Sequence, residues 1–157
     1  MSSAALAVVN MLEGRQRIAG HLCEQLATLP GIYTPELLPG SQPSWYGLPL
    51  RYEPTELDGL PIERFYEALK AEGCIEVDRP GSTCPLNLLP LFQRPGDLLP
   101  AYRDTFSYQP GDFPVAEAFH RNLLKLPVWH RDADLPLVYA YIEAFRKVTE
   151  NYRDLIG

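Results

Sequence analysis

The sequence predicts an α+β domain: a small antiparallel or mixed sheet with about four helices, one of them long and N-terminal, and a long proline-rich loop. Three observations carry this. Four segments repeat apolar residues at helical spacing, two shorter ones have strand character, and 16 prolines in 157 residues, about twice the usual ~5%, fall before, between and after the helices. Such a mixture of helices and two or three short strands is the signature of an α+β layer architecture.

The first helix is expected over residues 4–29, where Met11, Ile18, Leu22, Leu26 and Leu29 recur at three-, four- and seven-residue steps. Pro30-Gly31 stops it. Its first turns, Ala4-Ala5-Leu6-Ala7-Val8-Val9, are apolar nearly all round and call for cover on more than one side. A proline- and glycine-rich turn then runs through Pro43. Residues 45–52 place Tyr46, Leu48, Leu50 and Tyr52 on one face at period two, a strand whose Pro49 cannot donate a ladder hydrogen bond and so belongs at an edge or a bulge.

Pro61 suits a first helical position, and Ile62, Phe65, Tyr66 and Leu69 follow at helical spacing until Gly73. Cys74-Ile75-Glu76-Val77 reads as a second strand sharing a small sheet with the first. Residues 79–113 hold six prolines and neither period, well beyond the ~12–15 residues at which structureless loops become uncommon in compact domains. Because the stretch is rich in Leu, Phe and Tyr, it fits a loop docked on something. Pro114 opens a third helix through Leu124 with Val115, Phe119 and Leu123 on one face. Asp134 is an N-cap candidate for a fourth, striped by Val138, Tyr141, Ile142, Phe145, Val148, Tyr152 and Leu155.

Composition excludes several classes of function. Hydrophobic residues at 46% and charged residues at 22% lie in the ordinary globular range. With 20 acidic against 14 basic side chains, a formal charge of −6 and no basic run, nucleic acid is not an expected partner. The Met1-Ser2-Ser3 start lacks the basic segment of a signal peptide, and a membrane span is not expected, so the expected location is the cytoplasm. Cys23, Cys74 and Cys84 form no C-x-x-C pair and suit reduced thiols used for packing.

Chemistry-bearing motifs are scarce. His21, His120 and His130 have no second ligand at metal spacing, and no metal site is expected. His21, between core positions, reads as structural, while His130 in Trp129-His130-Arg131-Asp132 is the histidine with a loop setting. No G-x-S-x-G, G-x-G-x-x-G or P-loop string occurs. The carboxylate pairs Asp132/Asp134 and Glu53/Glu56 read as turn caps. The lysines are Lys70, Lys125 and Lys147; the first and last fall on polar helix faces and Lys125 at a helix end, so none has the small-residue setting that a Schiff-base lysine uses.

Several strings, in order, resemble the small C-terminal domain of the DegT/DnrJ/EryC1/StrS aminotransferases. They are the long helix ending in LPGI, the segment SWYGLPLRY, the helix followed by EGCIEV, the loop CPLNLLPLF, then GDFPVAEAFHRNLLKLPVWH and the last amphipathic helix. The resemblance spans nearly everything from Met11 onward. It implies an inter-domain helix over residues 1–30 and an aminotransferase small domain over residues 31–157, with the cofactor-binding large domain of that fold-type-I family absent.

The family's members mostly move an amino group from glutamate or glutamine to a keto sugar or keto cyclitol using pyridoxal phosphate. By this resemblance the chain is the C-terminal part of such an enzyme, carries no catalytic residue and binds no cofactor alone. Pyridoxal phosphate is then expected on a large-domain partner. Where family members often read P-L-H, this chain has Pro85-Leu86-Asn87. Asn87 either orients a hydroxylated substrate, since an amide can donate and accept but carries no proton at neutral pH, or marks a decayed site.

Asn87, Tyr46 and Arg51 are the candidate substrate-facing residues in trans, Arg51 as a carboxylate partner. For Tyr46 and Arg51 the alternative is a pair on a solvated sheet edge. The apolar start of the first helix and the long loop imply a protein partner, either a large-domain subunit or a full-length aminotransferase, or self-association. The alternative to a half-enzyme is a non-catalytic remnant or regulatory subunit.

Overall fold

The computed structural model describes residues 3–103 and 105–156; the Met1-Ser2 start lies outside them. Two compact units emerge, one built from residues 3–78 and 124–156, the other from Arg79–Leu123. Among the described residues the elements run α1 (Ser3–Leu26), β1 (Ile32–Tyr33), β2 (Leu48–Tyr52), α2 (Ile62–Ala71), α3 (Pro90–Gln93), α4 (Pro95–Leu98), α5 (Pro114–Arg121), β3 (Leu123–Leu126) and α6 (Leu135–Glu150), with short 3-10 turns between. The fold is α+β, with four helices of eight residues or more, as the periodicities predict.

In the first unit the three strands lie in the order β1-β2-β3. Ile32 pairs with Tyr52 and Tyr33 with Arg51, antiparallel. The faces α1 and α6 bury, Ile18, Leu22 and Leu26 on one, Val138, Tyr141, Ile142, Phe145 and Val148 on the other, join Leu48, Leu50 and Tyr52 of β2 and Phe65 and Leu69 of α2 in one core. Its centre is aromatic: Tyr52 and Phe65 lie 4.9 Å apart between ring centroids, and Phe65 meets Phe145 edge-on at 6.1 Å. The Tyr52 hydroxyl, too deep to reach water, donates to the Leu60 carbonyl at 2.9 Å.

Four expectations are corrected in this unit and its neighbour. Residues 74–77 form a turn, with Ile75 N–H bonded to the Gly73 carbonyl at 2.8 Å; Cys74 and Val77 join the core, and the backbone meets the sheet just after the turn, in an isolated bridge between Asp78 and Lys125. The strand that fills its place is β3, inside the stretch expected to end the third helix, so Lys125 sits on a strand and not at a helix end. Asn122 closes α5, after which Leu123-Leu124-Lys125-Leu126 is extended. Pro49 is not on an edge strand, for β2 is central. Because β1 is two residues long and pairs only with Arg51 and Tyr52, no β1 residue stands opposite Pro49.

The fourth correction concerns α5. Val115 is 83% exposed and Phe119 is also exposed, whereas the residue this helix buries is Glu117. The proline-rich stretch is not featureless either. Its prolines recur every five residues from Pro80 to Pro100, and Pro90, Pro95 and Pro100 each open a short helical turn, where a missing N–H costs nothing. Phe92, Phe106, Tyr108 and Phe113 form an aromatic row in this second unit, with successive centroids 5.7–6.1 Å apart.

Candidate functional site

Asn87 is the most constrained of the candidate residues. It is 3% exposed, in the 3-10 turn Leu86–Leu88, and its Nδ2 donates to Glu117 Oε1 at 2.6 Å and to the Gln109 carbonyl at 3.2 Å. Glu117, 4% exposed, also accepts from the Gly111 N–H at 2.9 Å and more loosely from Phe113 N–H at 3.4 Å. These donors, first the Gly111 amide and then the Asn87 amide, hold the Glu117 carboxyl below its usual range. The Gln93 side chain donates to the Asn87 carbonyl at 3.1 Å, and Asp112 accepts from Gln109 N–H at 2.8 Å. The buried Asn87–Glu117 pair thus ties together the Leu86–Leu88 turn, α3, residues 109–113 and α5.

Tyr46 stands outside β2, because Trp45 adopts the left-handed conformation at φ 46° and Gly47 follows before the strand begins. Its ring is 91% exposed, with Lys125 Nζ 5.7 Å from the centroid. The period-two face of the strand is therefore Leu48, Leu50 and Tyr52, without Tyr46. Arg51 does lie on β2; its guanidinium covers the Tyr33 ring at 4.0 Å and bonds Glu53 at 3.0 Å. Tyr46 and Arg51 belong to the first unit and Asn87 to the second.

Of the two carboxylate pairs expected as caps, Glu53 caps a turn, whereas Glu56 and Asp132 hold distant partners, Asp132 the Arg17 guanidinium at 2.5 Å. Glu53 accepts from Thr55 Oγ1 at 2.7 Å at the start of the 3-10 turn Pro54–Leu57, and Glu56 accepts from Gly31 N–H at 2.8 Å and from the Tyr33 hydroxyl. Asp134 precedes α6, but its carboxylate turns back to Arg131, accepting from the backbone N–H at 3.1 Å and from Nη2 at 2.7 Å. Among the described residues, His21 Nε2 and His120 Nδ1 are buried without a hydrogen-bond partner. Burial pushes the Cys74 thiol up to about 11, which suits packing over reactivity. No three His, Cys, Asp or Glu side chains among the described residues converge as a metal site, and no described helix is long and apolar enough to cross a membrane.

The lysines bear on pyridoxal chemistry. Lys70 Nζ donates to the Ile75 carbonyl, Lys125 pairs with Asp78 at 3.0 Å, and Lys147 pairs with Glu72 at 2.7 Å. A Schiff-base lysine needs a desolvated pocket; these three reach solvent and are engaged by a carbonyl or a carboxylate at the surface. The residues present do not fit an internal aldimine.

The family model of the DegT/DnrJ/EryC1/StrS aminotransferases matches residues 4–136. The chain belongs to this family. It is 29% identical over 143 residues to an uncharacterized protein of Methanocaldococcus jannaschii, an alignment covering 90% of this chain and 33% of that one. Among solved structures it is similar to a DegT/DnrJ/EryC1/StrS aminotransferase from Brucella abortus, with a TM-score of 0.60, 27% identity, and coverage of 92% of this chain and 33% of that. The S. venezuelae DesV structure in complex with a ketimine intermediate gives 0.60 and 25% identity, over 90% and 32%. The E. coli GDP-4-keto-6-deoxy-D-mannose-3-dehydratase with bound hydrated PLP shares the fold at 0.59 and 14% identity, over 87% and 31%. The chain spans about a third of the length of these relatives.

The polar knot around Asn87 escaped sequence reasoning on its Glu117 side. Glu117 sits among Val115, Ala116, Ala118 and Phe119, and the apolar spacing of that helix marked those neighbours, not the glutamate, as its buried face. Pro114 starts the helix three residues before Glu117, which lets the carboxylate turn back to the Gly111 and Phe113 N–H groups that precede α5.

Proposed function

We propose that this chain is the C-terminal, substrate-side part of a DegT-type aminotransferase acting on a keto sugar or keto cyclitol. A large-domain partner supplies pyridoxal phosphate and its lysine. The observation that carries the reading is the family match over residues 4–136 combined with coverage of only a third of each relative. In this reading residues 1–30 are the inter-domain helix and residues 31–157 the small domain; the chain works in the cytoplasm, in an oligomer. Asn87, Tyr46 and Arg51 face the substrate in the assembled site, with Arg51 exchanging Glu53 for a substrate carboxylate.

The test has two arms. The purified chain is incubated with pyridoxal phosphate, reduced with borohydride and mapped by mass spectrometry; the expected result is no adduct concentrated on one lysine. The tagged chain is then recovered from its own host, reduced in the same way, and the partner identified by a pyridoxyl-lysine peptide; amino transfer is expected from the complex and from neither component. A defined adduct on Lys70, Lys125 or Lys147 would overturn the division of labour, and the absence of any pyridoxyl-bearing partner would sink the half-enzyme.

The engagement of Asn87 by Glu117 supports a second reading, a regulatory subunit that docks on a full-length aminotransferase. Asn87 then serves only to hold Arg79–Leu123 together. That reading predicts a complex whose turnover does not exceed that of the aminotransferase alone.

A further inference from the structure

A glycine inside a helix costs conformational entropy, and it is of use where a backbone or a ligand must come close. Gly14 on α1 is explained by the His130 carbonyl oxygen, from which a Cβ would lie 2.0 Å. Gly20 has no such neighbour, since nothing stands within 4 Å of a Cβ there. What Gly20 borders is a cavity of about 220 Å³ within the first unit, with Gly20 and Cys23 of α1 on one side and Pro35, Pro43 and Trp45 of the segment before β2 on the other. Trp45 is held at φ 46°, a strained conformation for a bulky residue and of the kind that collects at ligand clamps. Two side chains of α1 fasten this segment, Arg15 donating from Nη1 to the Trp45 carbonyl at 3.2 Å and Gln16 from Nε2 to the Pro43 carbonyl at 3.5 Å.

The walls define the occupant. Among the described residues that line the cavity none is charged, and burial pushes the Cys23 thiol up, which keeps it neutral as well. A charged ligand would lose its hydration there without gaining a counter-charge. Gln16, Ser41 and Gln42 supply polar groups; Ser41 Oγ already donates to the Leu38 carbonyl at 2.7 Å, which leaves it an acceptor. Two proline rings and an indole suit the faces of an aromatic ring. The volume exceeds the roughly 150 Å³ that takes up benzene, so it admits one ring with a small polar substituent. We propose that this cavity is a binding site for a neutral, single-ring aromatic carboxamide, its ring between Gly20 and Trp45 and its amide toward Ser41 and the two glutamines. The site belongs to the first unit alone and rests on neither reading of the chain's function.

The test is an NMR titration of the full chain, read at the indole N–H resonances, which Trp45→Phe assigns. Benzamide is expected to shift the Trp45 signal with a Kd on the order of 0.1–1 mM, within reach of a molecule of this size. The Trp129 signal, from an indole packed edge-on against Tyr141, should stay in place. Benzoate, the same shape with a charge, should bind about tenfold more weakly or worse, and cyclohexanecarboxamide, which keeps the amide and loses the flat ring, should also bind more weakly than benzamide. Gly20→Ala should weaken benzamide binding several-fold, and Gly20→Leu should abolish it with the melting temperature retained. No response at Trp45, equal affinity for benzamide and benzoate, or binding undiminished in both glycine variants would each overturn the proposal.

Discussion

Two glycines on α1 show how one residue type carries opposite energetic meanings. A Cβ built on Gly14 would lie 2.0 Å from the His130 carbonyl oxygen, inside any van der Waals contact, and the obstacle is backbone. Gly14 is therefore what lets α1 approach the segment before α6. Gly20, two turns on, faces open space, with nothing within 4 Å of a Cβ. Gly14→Ala should destabilise the chain by about 1–3 kcal/mol, the usual range for overpacking. Gly20→Ala should stabilise it by roughly 0.5–1 kcal/mol, the helix cost of glycine against alanine. Thermal melts of the two variants against wild type check both signs. A destabilised Gly20→Ala, or a neutral Gly14→Ala, would contradict this packing. Neither meaning could be read from sequence, since both glycines interrupt the same amphipathic pattern and only the tertiary neighbour separates them.

At the level of elements, α1 is two helices in one. Residues 4–10 bury nothing, whereas Ile18, Ala19, Leu22 and Leu26 sit in the core. Removing residues 1–10 should then cost less than about 1 kcal/mol, a fall of no more than roughly 2–4 °C in Tm for a chain of this size, as differential scanning calorimetry would show. A collapse on truncation would mean that the apolar start of the helix supports the core after all. Helices were legible because 3.6-residue patterning survives without tertiary knowledge: the α6 stripe is buried as far as Val148, and Tyr152 and Leu155 pack against the core from the 3-10 turn beyond it. Strands were less legible. Cys74 and Val77 are buried three residues apart with Ile75 exposed, a spacing that fits a turn and not the period of two of a strand, and β1 is too short to show any alternation. On the site side, Asn87 was legible as a departure from a family motif. Its partner Glu117 was not, since a glutamate on a helix with apolar neighbours is ordinarily solvated.

Across the whole molecule, the two units are held by different chemistry. The contiguous apolar core lies wholly within residues 3–78 and 124–156. Among the described residues of Arg79–Leu123 the buried positions are mostly polar or proline, with Asn87 and Glu117 as the buried hydrogen-bonding pair. Glu117 has a folded-state pKa below the usual glutamate value of 4.5. A carboxyl depressed in this way contributes its stabilisation fully above the unfolded value and loses it as pH falls through the folded one. Acid should therefore loosen Arg79–Leu123 while the first unit persists on apolar packing that does not titrate. In the first unit Arg131 holds Asp134 below its usual 3.8, and the Thr55 and Tyr33 hydroxyls hold Glu53 and Glu56 below 4.5, but none of these carboxylates belongs to the apolar core cluster. Both tryptophans, Trp45 and Trp129, lie in the first unit, so the two halves can be watched separately. Below pH 4.5, hydrogen-exchange protection at the Gly111 and Phe113 amides should fall while tryptophan emission stays constant, and Glu117→Gln should erase the pH step. Simultaneous loss of both signals would mean that the polar knot and the apolar core unfold as one cooperative unit, and that the carboxylate does not hold Arg79–Leu123 independently.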